Sequence, residues 1–364
     1  MPLKDEYKRR LLKIEAVLTS ALPENPDFAW FNKVFPDVDI SAFEHKRCMA
    51  PLTEPALDLL ERGGKRWRPL LMTLICHGLG GGEAALPLSP LVEFCHNASL
   101  IHDDIEDNSP LRRGKPAVHL LYGEDTAINS GSFLYFLPLT CIENWDAPEI
   151  FKLELWKLWA WHIRRLHLGQ SMDIAWHREA SFMPSIAQYL TMCRLKTGVL
   201  ARFSALCGSL AAESAGGSSK NEKKHERNRI LGDSSEKLGV GFQILDDVKN
   251  LRGGITGKKR GDDIVEGKKS LPVLIFLNEP VNKNSNLAER GKFVEMSFAE
   301  AKKDGIDAPA VENIITALEE SGALTAACAH GRQLIEEARQ TLTETVFGAG
   351  ETKELFEGFI ELVS

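Results

Sequence analysis

The sequence has no run approaching the roughly 18 uninterrupted apolar residues that a membrane-spanning helix needs, so stable membrane insertion is not expected. It has no Cys-x-x-Cys pair. Its seven cysteines (Cys48, Cys76, Cys95, Cys141, Cys193, Cys207 and Cys328) are scattered and odd in number, which argues against a disulfide framework or a cysteine zinc site and for reduced thiols. None of the ten histidines stands in a His-Glu-x-x-His spacing. Positive charge is not in excess either. Lys+Arg 44 against Asp+Glu 51 leave a net charge of −7, so no nucleic-acid surface is expected and any basic chemistry is local. A Gly-x-x-x-x-Gly-Lys-[Ser/Thr] loop is missing, which removes a Walker-type nucleotide site. Charges run through the opening MPLKDEYKRRLLKIEAVL, so no export signal is read there and a cytoplasmic protein is expected.

Alternating strand patterns are nearly absent, and no Asn-Gly or Asp-Gly turn joins two such runs. Helical periodicity is what the chain has. Leu11, Leu12, Ile14, Ala16, Val17 and Leu18 share a helical face, as do Leu91, Val92, Cys95, Ala98, Ser99 and Ile101. Segments 150–176, 186–214, 228–250, 310–340 and 351–362 follow the same pattern. Breaks fall in 22–55, which holds five prolines, and in the loops 78–90, 216–228, 251–263 and 278–292. The expectation is an all-α fold in a single domain over 1–364: an irregular part to residue 54, a motif-bearing core over 55–275, and C-terminal helices over 276–364.

Three constellations carry chemistry. Asp103-Asp104-Ile105-Glu106-Asp107 puts Asp103 and Asp107 at i, i+4 if the helix beginning near Leu91 runs that far, with Asp104 beside them. Like charges so close repel, and a divalent cation relieves the repulsion; hard oxygen ligands suit Mg²⁺ shared with substrate phosphates. The alternative for a lone cluster is a solvated helix end. Asp246-Asp247, in FQILDDVKNL, is a second acidic pair after an apolar helical run. Two such pairs suggest a metal clamp between facing helices of a bundle. The third constellation is cationic: Gly63-Gly64-Lys65-Arg66-Trp67-Arg68, Arg112-Arg113-Gly114-Lys115, Lys196-Thr197, Lys258 and Lys268. Beside acidic metal sites in a net-acidic chain, arginine forks and lysine point charges read as diphosphate ligands. Five tryptophans (Trp145, Trp156, Trp159, Trp161 and Trp176) read as packing residues of a core or a subunit interface.

The combination GGKRWRP, HNASLIHDDIEDNSPLRRGKP, LKTG, FQILDDVKNL and GDDIVEGKKSLP, in that order over about residues 55 to 275, resembles the trans-isoprenyl diphosphate synthases, the polyprenyl synthetases. HNASL, DDIEDNS-x-LRRG, INS and LHLGQSMDIAW are most similar to the geranylgeranyl diphosphate synthases of eukaryotic type. The resemblance implies an antiparallel helical bundle around a deep central cavity, usually a homodimer. It also implies condensation of an allylic diphosphate (dimethylallyl, geranyl or farnesyl) with isopentenyl diphosphate. By motif position Asp103, Asp104 and Asp107 would hold two Mg²⁺ ions, and Asp246 and Asp247 a third. Gly64, Lys65, Arg68, His96 and Arg113 would bind isopentenyl diphosphate. Arg112, Lys196, Thr197, Gln243, Lys258 and Lys268 would contact the allylic substrate or its leaving group.

Product length is expected from the same helix. Ala98 and Ser99, one turn before the acidic motif, are too small to stop a chain near fifteen carbons. A turn rises about 5.4 Å, comparable to one isoprene unit. The resemblance puts Tyr135, Phe136 and His167 at a deeper floor, giving a twenty-carbon product; ordinary core aromatics and a core histidine are the alternative. The chain departs from the family pattern at Asn250 and Ser132, where Asp is common in relatives. Rival readings are a farnesyl or longer-chain synthase, a class I terpene cyclase, and a non-catalytic partner subunit. GGKRWRP and Arg112-Arg113 speak against the cyclase, and two intact acidic pairs against the inert subunit.

Overall fold

The computed structural model describes residues 3–39, 45–179, 181–217, 224–253, 260–278, 287–348 and 350–363. They are helical almost throughout. The N-terminal helices are α1 (Leu3–Ala21), α2 (Phe28–Val34), α3 (His45–Glu61), α4 (Trp67–Gly78) and α5 (Ser89–Glu106). A two-stranded hairpin follows, β1 (Leu111–Arg112) and β2 (Lys115–Pro116), then α6 (Val118–Tyr122), α7 (Glu124–Phe136), α8 (Leu139–Glu143) and α9 (Glu149–Arg178). Next come α10 (Ile186–Cys193), a π-helical turn over Arg194–Gly198, α11 (Val199–Ser214) and α12 (Lys224–Arg252). The C-terminal part holds α13 (Asp262–Val265), α14 (Leu271–Asn278), α15 (Leu287–Asp304), α16 (Pro309–Glu320), α17 (Ala323–Leu342) and α18 (Glu351–Val363).

The chain forms two compact units. Unit one comprises Met1–Ile163, Leu200–Gly232 and Leu342–Val363; unit two comprises Arg164–Val199 and Asp233–Thr341. In unit one the apolar sequence of α4 is buried from Leu70 to Cys76. Glycine lets α11 reach α4: a Cβ on Gly208 would sit 2.3 Å from the Met72 carbonyl oxygen, closer than side-chain carbons come. Gly131 does the same for α7 on α5, against Ile101 and His102. Phe347 stacks on Phe356 at 4.2 Å and helps seat α18.

In unit two α14 is apolar all round and buried from Leu271 to Leu277, as a helix wrapped by others must be. Gly241 on α12 meets α17, where its Cβ would lie 2.6 Å from Ile335. The segment expected as one helix over 310–340 is two, α16 and α17, parted at Ser321-Gly322. Gly322 has φ +80°, a left-handed conformation that ends a helix and that glycine adopts without strain.

Within 22–55 lie the short helix α2 and much of α3. Most of the expected 278–292 insert and the middle of 216–228 lie outside the described residues. Among the described residues no helix is long and apolar enough to cross a membrane, and all seven cysteines are unbridged.

Candidate active site

In unit one the acidic motif ends α5. Asp107 is the C-cap residue, and its N–H donates to the Asp103 carbonyl at 2.9 Å, so the helix does run far enough to stack the two residues one turn apart. The stop is a Schellman motif. Asn108 takes φ +52°, its N–H donates to Ile105 O at 3.3 Å, and the Ser109 N–H reaches Asp104 O at 2.9 Å. Asp104 is fully buried, whereas the Asp103 side chain keeps 15% exposure.

The next residues form the hairpin, with Leu111 opposite Pro116 and Arg112 opposite Lys115. Arg113 (φ +53°) and Gly114 (φ +77°) are its two turn residues, both left-handed as a type I′ turn demands. This turn aims the two arginines differently. Arg112 donates from Nε to Asp104 Oδ1 at 2.8 Å, and also from Nη2; Asp103 Oδ2 lies 3.7 Å away. Arg113 donates to the Leu59 carbonyl at 3.0 Å, and its guanidinium lies against Gly64, where a Cβ would approach Nη2 to 3.2 Å. Burial pushes Arg113 down to about 10, with Arg66 and Arg112 adding to the effect and Glu93 opposing it.

Around this pair lie the other expected cations. Arg68 is buried with its guanidinium 4.4 Å from the Trp67 ring, and Lys65 is exposed on the preceding loop. His96 is held well below its ordinary value by burial and by Arg68, Arg113, Arg112 and Arg66, so it is neutral. Ala98 is buried on α5; Ser99 is half-buried and donates to the His96 carbonyl at 2.7 Å. Tyr135 is buried and stacks on His102 at 5.7 Å. Two of the expected floor residues differ. Phe136 is 59% exposed beside Trp159, and His167 is exposed on α9. Of the tryptophans, Trp145 and Trp176 are buried, Trp156 and Trp159 meet edge to face, and Trp161 is 42% exposed.

Unit two brings together Lys196, Thr197, Gln243, Asp246, Asp247 and Lys268. Lys196 and Thr197 ride on the π-helical turn, a local distortion that often marks functional positions. Two glycines permit it. A Cβ on Gly169 of α9 would lie 2.4 Å from the Lys196 nitrogen, and one on Gly198 would lie 2.8 Å from the Glu236 carbonyl oxygen. Lys196 Nζ donates to Asp173 at 2.7 Å. Asp247 is buried; Tyr189 donates to its Oδ2 and Gln243 to its Oδ1, both at 2.8 Å. The Thr197 hydroxyl donates to Gln243 Oε1 at 2.7 Å. Burial and the charge of Asp263 push Asp247 up to about 7, against the hydrogen bonds and Lys268. Its neighbour Asp246 is exposed.

Lys268 lies 3.8 Å from Asp263 and 2.5 Å from Glu266. Asn250 is buried, and its Oδ1 accepts from the Asp263 N–H at 3.3 Å, so this departure from the acidic pattern anchors the first turn of α13 without adding a third charge beside Asp247 and Asp263. Lys258 lies outside the described residues.

Several residues to which the sequence assigned no role, or a different one, matter to this geometry. Arg62 donates to Arg112 O at 3.1 Å and Pro116 O at 2.8 Å, tying the hairpin to the end of α3. Arg66, read as one more cation, is structural: it reaches Glu15 at 2.8 Å, Glu93 at 2.9 Å and Leu60 O at 2.6 Å. Asp173 and Asp263 lie inside the quoted LHLGQSMDIAW and GDDIVEGKKSLP segments without a role assigned to them, whereas Tyr189 stands in unremarkable helical sequence.

Among the described residues no three His, Cys, Asp or Glu side chains converge as a ready metal cage. The donors nonetheless suit a hard cation. Asp103, Asp104 and Asp107 offer only carboxylate oxygens at one helix end, with the Arg112 guanidinium beside them as a partner for an anionic substrate group.

A polyprenyl synthetase family model matches residues 49–303. The geranylfarnesyl diphosphate synthase of Aeropyrum pernix is 33% identical over 320 residues, 86% of this chain and 93% of that one. A short chain isoprenyl diphosphate synthase of Methanocaldococcus jannaschii is 38% identical over 224 residues, with 59% of this chain covering 63% of it. Among solved structures, geranylgeranyl pyrophosphate synthetase from Pyrococcus horikoshii Ot3 superposes with a TM-score of 0.79 at 25% identity, over 99% of this chain and 97% of that one.

Proposed function

Because the chain belongs to the polyprenyl synthetase family, we propose that it makes geranylgeranyl diphosphate, using its cationic cluster and its two acidic pairs. It is a prenyltransferase with the all-α isoprenoid synthase fold, and it extends an allylic diphosphate with isopentenyl diphosphate. The family is Mg²⁺-dependent in general. The reading of the site rests above all on one observation: Arg112 is forked onto buried Asp104 while Arg113, one residue later, is turned toward Gly64. Adjacent arginines aimed apart suit two diphosphates held side by side.

Mg²⁺, three ions by resemblance, would be held by Asp103, Asp104, Asp107, Asp246 and Asp247 and would supply positive charge as the carbon–oxygen bond ionises. The chain's own groups do the rest. Arg112, Lys196 and Lys268, with Lys258, bind and orient the allylic diphosphate, and their fixed charge costs no reorganisation as the leaving group develops. Gly64, Lys65, Arg68 and Arg113 hold isopentenyl diphosphate, and neutral His96 donates one hydrogen bond to it. Holding the alkene at near-attack distance replaces an encounter with an intramolecular step. The proton lost from the new chain passes to the released diphosphate.

Small Ala98 and half-buried Ser99 admit a chain past α5, and buried Tyr135 on α7 is the residue we assign to stop it at twenty carbons. The related synthases are named for geranylfarnesyl as well as geranylgeranyl products, so the stop is the part of the proposal that product analysis must decide. A homodimer in the cytoplasm is part of the proposal; α6 and α7 carry exposed Leu120, Leu121, Ile128 and Phe136, apolar surface that a second copy would cover.

The test is turnover of each allylic primer with and without isopentenyl diphosphate. Strict dependence on it is expected. Consumption of primer alone would indicate a cyclase, and no consumption under any condition an inert subunit.

A further inference from the structure

Gln243 and Thr197 are committed to one another. Gln243 spends both ends of its amide within the protein, Oε1 on the Thr197 hydroxyl at 2.7 Å and Nε2 on Asp247 Oδ1 at 2.8 Å. Asp247 Oδ2 in turn accepts from Tyr189 at 2.8 Å. Tyr189 is among the largest fully buried side chains of the chain, so its ring cannot swing to follow the carboxylate. The four groups form one relay from the π-helical turn to the second acidic pair. Close approaches at Gly169 and Gly198 fix that turn.

From this geometry we propose that Tyr189, with Gln243 and Thr197, is a positioning residue: the relay holds the Asp247 carboxylate in one orientation and locks it to the turn that carries Lys196. This deepens the function proposed above and rests on it. An unheld carboxylate rotates about its Cβ–Cγ bond and must be re-ordered each time a cation–diphosphate complex arrives. Hydrogen bonds from two fixed donors remove that cost in advance, as the supporting shell of a metal ligand does. The relay also gives a reason for the contrast within the acidic pair, in which Asp246 is exposed and Asp247 is buried and doubly bonded.

The direct test is Tyr189→Phe, which keeps the buried ring and removes only the donor. Loss of a hydrogen bond to a charged group is expected to lower kcat roughly tenfold to a hundredfold. KM for isopentenyl diphosphate should be unmoved, and the Mg²⁺ concentration for half-maximal rate should rise. A readout without turnover accompanies it: the rise in melting temperature on adding Mg²⁺ with inorganic diphosphate should shrink in Tyr189→Phe, while the metal-free melting temperature moves little. Thr197→Val, at the far end of the relay, should shift both readouts in the same direction by less, and it decides the case if Tyr189→Phe is poorly folded. Unchanged Mg²⁺ dependence and an unchanged thermal shift in both variants would overturn the proposal, as would a fall in kcat with no change in the thermal shift. If the wild-type protein transfers no prenyl group, the functional reading fails instead, and the thermal-shift comparison still judges the relay.

Discussion

At the scale of single residues, adjacency in sequence conceals opposite roles. The sequence offers Arg112 and Arg113 as a candidate diphosphate-binding pair, but not that a left-handed Arg113 would aim them apart. Lysine keeps the charge and loses the planar fork. Arg112→Lys should therefore raise KM for the allylic primer roughly tenfold, about 1.4 kcal/mol, and Arg113→Lys should do the same for isopentenyl diphosphate. Steady-state kinetics with each substrate varied in turn checks this, and equal effects on both substrates would dissolve the assignment.

Asp247 supports a prediction about pH. Its folded-state value is raised from 3.8 to about 7, so between roughly pH 4 and pH 7 the folded chain holds a proton that the unfolded chain has lost. Stability then falls as pH rises through that window. In metal-free protein, Asp247→Asn should gain on the wild type in urea midpoint from pH 5 to pH 7 and gain no more above it. A constant difference across the range would show that burial does not govern this carboxylate. None of this was readable from FQILDDVKNL, because the partners that bury Asp247, at 189 and 263, are distant in sequence.

At the scale of elements, helix existence was plain from periodicity, and boundaries were where packing overruled it. The stop after α5 depends on Asn108 in a left-handed conformation. Asn108→Gly should be tolerated, whereas Asn108→Val should cost about 1–2 kcal/mol in chemical unfolding, since a β-branched residue is strained there. Gly322 splits 310–340 for the same conformational reason, and the Arg-Gly hairpin escaped notice because the familiar turn pairs begin with Asn or Asp.

Two glycines make a sharper contrast. Gly169→Ala drives a Cβ into the backbone at Lys196 and should destabilise the chain by about 1–3 kcal/mol while also lowering kcat. Gly291, inside α15 with nothing within 4 Å, should become more helix-favouring as Ala and stabilise by up to about 1 kcal/mol. Thermal melts of the two variants check both signs.

At the scale of the whole molecule, the sequence named the fold class and put most charged residues of the candidate site into short motifs. It did not foresee which expected floor residues would be exposed. Burial of Tyr135 and exposure of Phe136, neighbours on one helix, follow from which side of α7 meets α5. If a second copy covers α6 and α7, light scattering should give about twice the 40.4 kDa chain mass, and Leu121→Glu should reduce it to one.

The central claim is that this chain condenses isopentenyl diphosphate onto an allylic primer and stops at twenty carbons. Mass spectrometry of the products formed from dimethylallyl, geranyl and farnesyl diphosphate, for the wild type and Tyr135→Ala, tests it most directly. The account predicts geranylgeranyl diphosphate from all three primers, only when isopentenyl diphosphate is present, and longer chains from Tyr135→Ala. A wild-type product of fifteen carbons, or of more than twenty, or a Tyr135→Ala variant that loses stability without lengthening its product, would contradict it.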